Sequence, residues 1–341
     1  MNATCENLGP MGTQANRRDF IRALALMVAA LPLGLRAQPA KKVYRIGFLR
    51  RTSPQPVHLE AFRRRLQDFG YAGNVVLEER YANGVADRLH GLASELVRLK
   101  VDVIVVDGTA TAIAAKAATA SIPVVFVLVS DPVALGLVKS MARPGTNFTG
   151  LTVAAGYELA AKRVELFHAA YPQLSRLAVL GNPVNPSTEP FLKEAERAAR
   201  ALGVHIQSFQ ATRPADLTPA FAEIARGGAN GLTTLNDAMF YSERERIVNL
   251  ALKHRLPAIY PESEFADAGG LMSYGPDHED LFRRAAFYVD KILKGTKAAD
   301  LPVEQPTKFD FVVNSRAATA VGVTIAPAVL LRADRVIRGK E

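Results

Sequence analysis

The residues best able to do chemistry sit where apolar runs stop. "PVVFVLVSDP" carries six apolar residues in a row, Val124–Val129, and breaks at Ser130-Asp131-Pro132. "YRIGFLRRTSP" breaks at Arg50-Arg51-Thr52-Ser53-Pro54, and "VDVIVVDGTAT" at Asp107-Gly108-Thr109-Ala110-Thr111. Further on, "RLAVLGNPVNP" ends in Asn182-Pro183-Val184-Asn185-Pro186, "GLTTLND" in Asn236-Asp237, and "LPAIYPE" in Tyr260-Pro261-Glu262. Nearly all these ends carry hydroxyl, amide or carboxylate side chains, often with proline. Two chemistries account for the pattern. Ser, Thr, Asp and Asn accept hydrogen bonds from the exposed amides of a helix's first turn, and Pro suits its first position. The same amide-rich helix starts also receive an anionic or polar small molecule. Capping and ligand contact are compatible, and both readings stand for Asp131 and Asp237.

Signatures of catalysis are mostly missing. The six histidines (His58, His90, His168, His205, His254, His278) form no HExxH and no close pair along the chain, so no zinc site is expected. There is no GxSxG elbow and no Walker A loop, and "GFLRRTSP" lacks the glycines that let a pyrophosphate approach. Asp131, Asp237 and Glu262 are residue types used in acid–base catalysis, but no spacing pairs them. A hydrolase using Asp131 and Asp237 is the enzyme alternative. The expectation is a protein without catalysis, cofactor or metal.

The elements that must position these ends alternate. "VYRIGFL" reads as a strand and "PVHLEAFRRRLQDFG" as a helix, with Leu59, Phe62, Leu66 and Phe69 at helical spacing and Gly70 as a stop. "NVVLEERY", "VDVIVV" and "PVVFVLV" continue as strands. "VADRLHGLASELVRLK", "ATAIAAKAATA" and a short "VALGLVKSMA" are the helices beside them. After "ELAAKRVELFHAAYP" the unit repeats through "RLAVLGN", "VHIQSFQ", "NGLTTLND" and "LPAIYP", with a helix between each pair of strands. Parallel neighbours require a crossover, so this alternation predicts an α/β protein of two doubly wound parallel-sheet lobes. Ligands of such sheets sit beyond the carboxyl ends of the strands. No Gly/Pro/Ser-rich tether separates the rounds, which points to several crossing segments.

The totals agree. A chain of 341 residues, 49% hydrophobic, suits two lobes better than one core. The net charge of +9 is spread among acids, as in "SERERIV" and "KEAERAAR", and reads as solvated surface; no nucleic-acid partner is expected. "NRRDFIRALALMVAALPLGLRA" places Arg17-Arg18 before an apolar run too short to span a bilayer. It is similar to a twin-arginine export leader over residues 1–37, cut near Ala37; an ordinary secretory signal with a chance arginine pair is the alternative. The sole cysteine, Cys5, precedes that run, so no lipid anchor and no disulfide are expected.

Six stretches, taken together, resemble a known family: "VDVIVVDGTATAIAAKAATASIPVVFVLVSDPVALGLV", "ARPGTNFTGLT", "LAVLGNPVNP", "LPAIYPESEFADAGGLMSYG", "LPVEQPTKFDFVVN" and the opening "YRIGFL". They are similar, in order and spacing, to ABC-transporter substrate-binding proteins of the tryptophan/tyrosine-type group. The resemblance implies a type I periplasmic binding protein: two Rossmann-like lobes joined by three crossover segments, with a ligand held between them. It places the crossings near Asn147–Thr152, Gly270–Tyr274 and Pro302–Lys308. Lobe 1 would comprise residues 43–150 and 271–301, and lobe 2 residues 151–270 and 303–332. It implies ligand contacts by Ser53, Thr109, Asp131, Asn182, Asn236, Asp237 and Tyr274. The implied protein is a periplasmic monomer that captures a small polar molecule, such as an amino acid or small carboxylate, for an ABC permease. A solute-sensing subunit for a membrane kinase shares this fold. Two departures stand out: Arg50-Arg51 replace small polar residues, and no Trp is present.

Overall fold

The structure is a computed structural model that describes residues 42–338, apart from 53, 55 and 154–156. The expected leader, residues 1–37, lies outside the described residues. The first round runs β1 (Tyr44–Arg50), α1 (Pro56–Asp68), β2 (Val75–Tyr81), α2 (Leu89–Arg98), β3 (Val103–Asp107), α3 (Thr109–Ala118), β4 (Val124–Val129) and β5 (Phe148–Thr152). The second runs α4 (Glu158–Ala170), β6 (Arg176–Gly181), α5 (Thr188–Ala201), β7 (His205–Gln210), α6 (Leu217–Arg226) and β8 (Gly231–Thr234). It continues through α7 (Ala238–Ser242), α8 (Arg244–Lys253), β9 (Ala258–Tyr260), α9 (Ser263–Asp267) and β10 (Met272–Pro276). The tail is α10 (His278–Leu293), β11 (Phe309–Asn314), α11 (Ser315–Val321), α12 (Pro327–Leu330) and β12 (Arg335–Ile337).

Two sheets result, ordered β2-β1-β3-β4-β5 and β12-β11-β10-β9-β8-β6-β7. The run β7-β6-β8-β9-β10 repeats the order of the first sheet, so each round winds outward in both directions from its first strand. Strand burial follows from the period of two. Val103 and Val105 enter the cluster under α1 and α10, while Ile104 and Val106 enter the one under α2 and α3. Leu177 and Val179 likewise face α4 and α5, and Ala178 and Leu180 face α6 and α8. A strand with helices on both sides must be apolar at every position, which is why Val124–Val129 reads as an unbroken run. Each Val or Leu so buried contributes roughly 1.5–3 kcal/mol.

The structure corrects several boundaries. β10 pairs with β9 in parallel and with β11 antiparallel, so Met272–Pro276 lies in the second sheet. The expected transfer to lobe 1 at residue 271 therefore falls at Asp277-His278, because Met272 is buried in the second lobe's core. Lobe 1 receives α10, whose Leu281 and Phe282 pack with Phe48 and Phe62. β5 stays in the first sheet through Thr152, so that crossing follows the strand. β12 extends the second sheet past the expected end at residue 332. The helix expected over "VALGLVKSMA" is a series of turns: Gly136 takes φ +61°, and the amides of Leu137 and Val138 return to the Pro132 carbonyl.

Two glycines permit close approaches near the crossings. A Cβ on Gly150 (φ +145°) would lie 2.0 Å from the Phe126 carbonyl oxygen. One on Gly275 would lie 1.8 Å from that of Pro261. Opposite Gly150, β4 shifts register between Phe126 and Val129, and Leu128 takes a left-handed φ of 61°. Among the described residues no helix is long and apolar enough to cross a membrane.

Candidate binding cleft

The carboxyl ends of both sheets meet at one cavity of about 150 Å³. The first lobe supplies Arg50, Arg51 and Thr52 after β1, Asp107–Ala110 after β3, and Leu128 and Ser130 around the β4 bulge. The second supplies Val184–Ser187 after β6, Asn236–Ala238 after β8, Tyr241 on α7 and Glu262 after β9. His58 on α1, His278 at the start of α10, Ala86 and Val153 also line it. Leu128 therefore sits in a conformation costly for a branched residue where the cleft is built, as strained positions tend to do.

Of the residues expected from sequence, Thr109, Asn236 and Asp237 line this cavity. Asn236 is held on both faces of its amide: Arg163 Nη2 donates to its Oδ1 (2.7 Å), and its Nδ2 donates to Glu262 Oε1 (3.0 Å). Asp237 caps α7 by accepting from the Met239 amide (2.8 Å) and also accepts from Asn182 Nδ2 (3.2 Å) and Asn185 Nδ2 (3.0 Å). Its capping and cleft-facing roles coexist.

The other four stand elsewhere. Asn182 lies behind the cavity wall, orienting Asp237. Asp131 is displaced from the lining by its neighbour Ser130; its Oδ1 accepts from the amides of Val133 (3.2 Å) and Ala134 (2.9 Å), which is the cap. Tyr274 faces the crossing segments, stacked on Phe309 at 5.9 Å and edge-on to Phe311, so it braces them. Ser53 lies outside the described residues.

Sequence reading missed a clasp across the cleft. Arg51 Nη1 of the first lobe donates to Asp237 Oδ2 of the second at 3.3 Å. His58 Nε2 lies 2.9 Å, and His278 Nδ1 3.5 Å, from Glu264 Oε1 on α9, which also accepts from Tyr241 Oη (2.9 Å). His58 and His278, far apart along the chain, meet edge to face in the fold, with ring centres 5.4 Å apart. The ligating atoms of His58, Glu264 and His278 fall within 4.8 Å of one another. Arg50 Nη2 lies 3.5 Å from His58 Nδ1, a donor that only an unprotonated Nδ1 accepts. Nε2 then carries the proton and donates it to Glu264. A cation among these three would face the Arg50 charge, so the arrangement suits a hydrogen-bonded clasp better than a metal site. The one signal in the sequence was the charge of Arg50-Arg51 at the end of an apolar strand.

Burial and charge set the protonation states. Burial works to lower the His278 pKa, but the Glu264 carboxylate and its hydrogen bond outweigh that and raise it to about 9. Burial likewise opposes ionisation of Glu264, yet His278 and the two histidine hydrogen bonds hold it well below the ordinary range. His58 is lowered by burial, so it stays neutral. Burial pushes the Glu262 carboxyl up to about 7 and the Arg163 guanidinium down to about 10.

Comparison with known proteins agrees with this geometry. The family described as ABC transporter substrate binding protein matches residues 58–337. A tyrosine-binding protein of Clostridioides difficile (strain R20291) is 25% identical over 257 residues, 75% of this chain and 73% of that protein. The crystal structure of a conserved domain protein from Vibrio cholerae O1 biovar El Tor superposes with a TM-score of 0.80 at 28% identity, covering 86% of this chain and 100% of that one. An ABC domain from Streptococcus pneumonia in complex with L-Trp superposes with a TM-score of 0.80 at 23% identity, covering 87% and 100%. Two lobes of type I periplasmic binding protein architecture, a shared cleft and a family match over most of the chain lead to one conclusion: this chain belongs to the ABC transporter substrate-binding proteins and binds a small ligand for such a transporter.

Proposed function

We propose that the protein is an extracytoplasmic receptor, exported by the leader over residues 1–37. It would close as a monomer on one small molecule between its lobes and present the closed form to an ABC permease. Thr109, Asn236 and Asp237 would contact the ligand, with Asn182 orienting Asp237. The observation that carries the reading is the cavity lined by strand ends of both sheets and bridged by Arg51–Asp237. A ligand shifts an open–closed equilibrium only if it binds the closed form better, so it must touch both lobes at once. The L-Trp complex of the pneumococcal neighbour and the name of the Clostridioides difficile relative support a small solute as cargo.

The test is a thermal-shift screen of small solutes followed by small-angle scattering of the hits. The expected result is a raised melting temperature together with a smaller radius of gyration, and a solute that is recovered intact. A hit that is consumed over time, or scattering unchanged by every hit, defeats the proposal.

A further inference from the structure

Three consecutive residues on the first lobe's rim carry polar atoms without partners. Arg50, Arg51 and Thr52 are 2%, 9% and 5% exposed, and all line the cavity. Arg50 spends Nε (2.7 Å) and Nη2 on Asp107 Oδ2, leaving Nη1 with no acceptor. Arg51 spends Nη1 on Asp237, leaving Nε with none. The Thr52 hydroxyl has no partner either. Beside them α3 begins at Thr109 with no side-chain cap, and Gly108, Thr109 and Ala110 line the cavity. Buried donors left unpaired are costly, and an anion is the kind of partner such donors lack.

The carboxylates of the cleft, by contrast, are already engaged. Asp107 holds Arg50, and Asp237 accepts from Arg51, Asn182, Asn185 and the Met239 amide. Glu264 keeps Oε2 without a partner, but its charge is balanced by His278. Glu262 is half-protonated near neutral pH, because burial raises it to about 7. Arg163, fully buried, stands behind Asn236 and donates to its Oδ1. Each carboxylate of the cleft thus already has a partner within the protein: Asp107 with Arg50, Asp237 with Arg51, Glu264 with the histidines, and Glu262 with Asn236. Leu128, Val153, Val184 and Ala238 give the wall an apolar portion.

We propose that Arg50, Arg51 and Thr52, with the start of α3, form a carboxylate-receiving subsite, and that the ligand is a small monoanionic organic acid with an apolar body and no α-ammonium group. This rests on the receptor reading above and narrows its cargo. The guanidinium forks match the two oxygens of a carboxylate, and the apolar wall receives the remainder.

The probes are benzoate, phenylacetate and phenylpropionate, their amides, L-phenylalanine and D-allose. Each is titrated calorimetrically into refolded, ligand-stripped protein, with scattering as the readout of closure. The acids are expected to bind about 10- to 100-fold more tightly than the matching amides, and phenylpropionate more tightly than L-phenylalanine. Thr52→Val leaves both arginine ion pairs in place and is expected to narrow the acid–amide ratio without lowering the melting temperature of the free protein. Arg51→Gln is expected to narrow it further. Amides or L-phenylalanine binding as well as the acids overturns the assignment, as does an unchanged ratio in both variants. Closure by D-allose but by no acid overturns it while leaving the receptor reading intact. Scattering unmoved by every probe, and by the wider solute screen, overturns both.

Discussion

β2-β1-β3-β4-β5 and β7-β6-β8-β9-β10 are one topology built twice, yet they deliver opposite chemistry to the cleft. The first lobe brings Arg50, Arg51, His58 and His278, while the second brings Asp237, Glu262, Glu264 and a set of amides. Topology placed both sets at strand ends but chose neither; the fold fixes where a site is, and side chains fix what it does. Opposite charge on the two rims also attracts them, so part of the closing force is built into the protein.

Breaking a pair within the first lobe is expected to have the largest effect. Asp107→Ala strands the Arg50 guanidinium in a buried position and is expected to destabilise the fold by about 3–5 kcal/mol, read from urea denaturation followed by circular dichroism. A loss below about 1 kcal/mol would mean that Arg50 reaches solvent and that the lobe's cationic rim is not enforced by burial.

Breaking a pair between lobes is expected to do less to folding and more to closure. Asp237→Ala removes the Arg51 contact, the α7 cap and the acceptor of Asn182 and Asn185, for an expected loss of about 2–3 kcal/mol. Scattering of the variant should show a larger mean radius. A variant that loses stability with no change in radius would reduce Asp237 to a helix cap.

The histidine clasp gives the comparison a pH axis. His278 is raised to about 9 where it meets Glu264, so its contribution to holding the lobes together is complete below its ordinary 6.5 and is lost as pH rises through about 9. Glu264 is depressed, so its contribution is complete above its ordinary 4.5 and fades as pH falls toward its lowered value. Closure is thus expected to be strongest between about pH 4.5 and 6.5, and Glu264→Gln should flatten the profile. A wild-type radius independent of pH from 5 to about 10 would show that the clasp does not hold the lobes.

Pairs on the outer surface are expected to matter least. Arg197→Ala removes an exposed helix contact to Glu194 and should shift stability by no more than about 0.5 kcal/mol. Its melting curve serves as the baseline against which the cleft variants are judged.

Much of the architecture was legible because it rests on local patterning. Val124–Val129 announced a strand covered on both faces, and the segment is β4 to the residue. Thr109, Asn236 and Asp237 were found by asking where such strands end. The same question also picked out Asp131, whose side chain is used as a cap, while Tyr274, implied by the resemblance, has its ring against Phe309. Burial of Arg50 and Arg51 could not be read, since adjacent arginines look the same in a wall as in solvent. The clasp was invisible for a plainer reason: His58 and Glu264 stand 206 residues apart.

The sequence by itself determined the order of strands and helices, the doubling of the unit and the polar strand ends. Those properties depend on hydrophobic period and turn chemistry within a few residues of each position. Only the tertiary structure decided which ends share a cavity, which carboxylates are already engaged, and which donors are left without partners. These depend on how two separately wound sheets approach each other, and no local pattern encodes a distance between lobes.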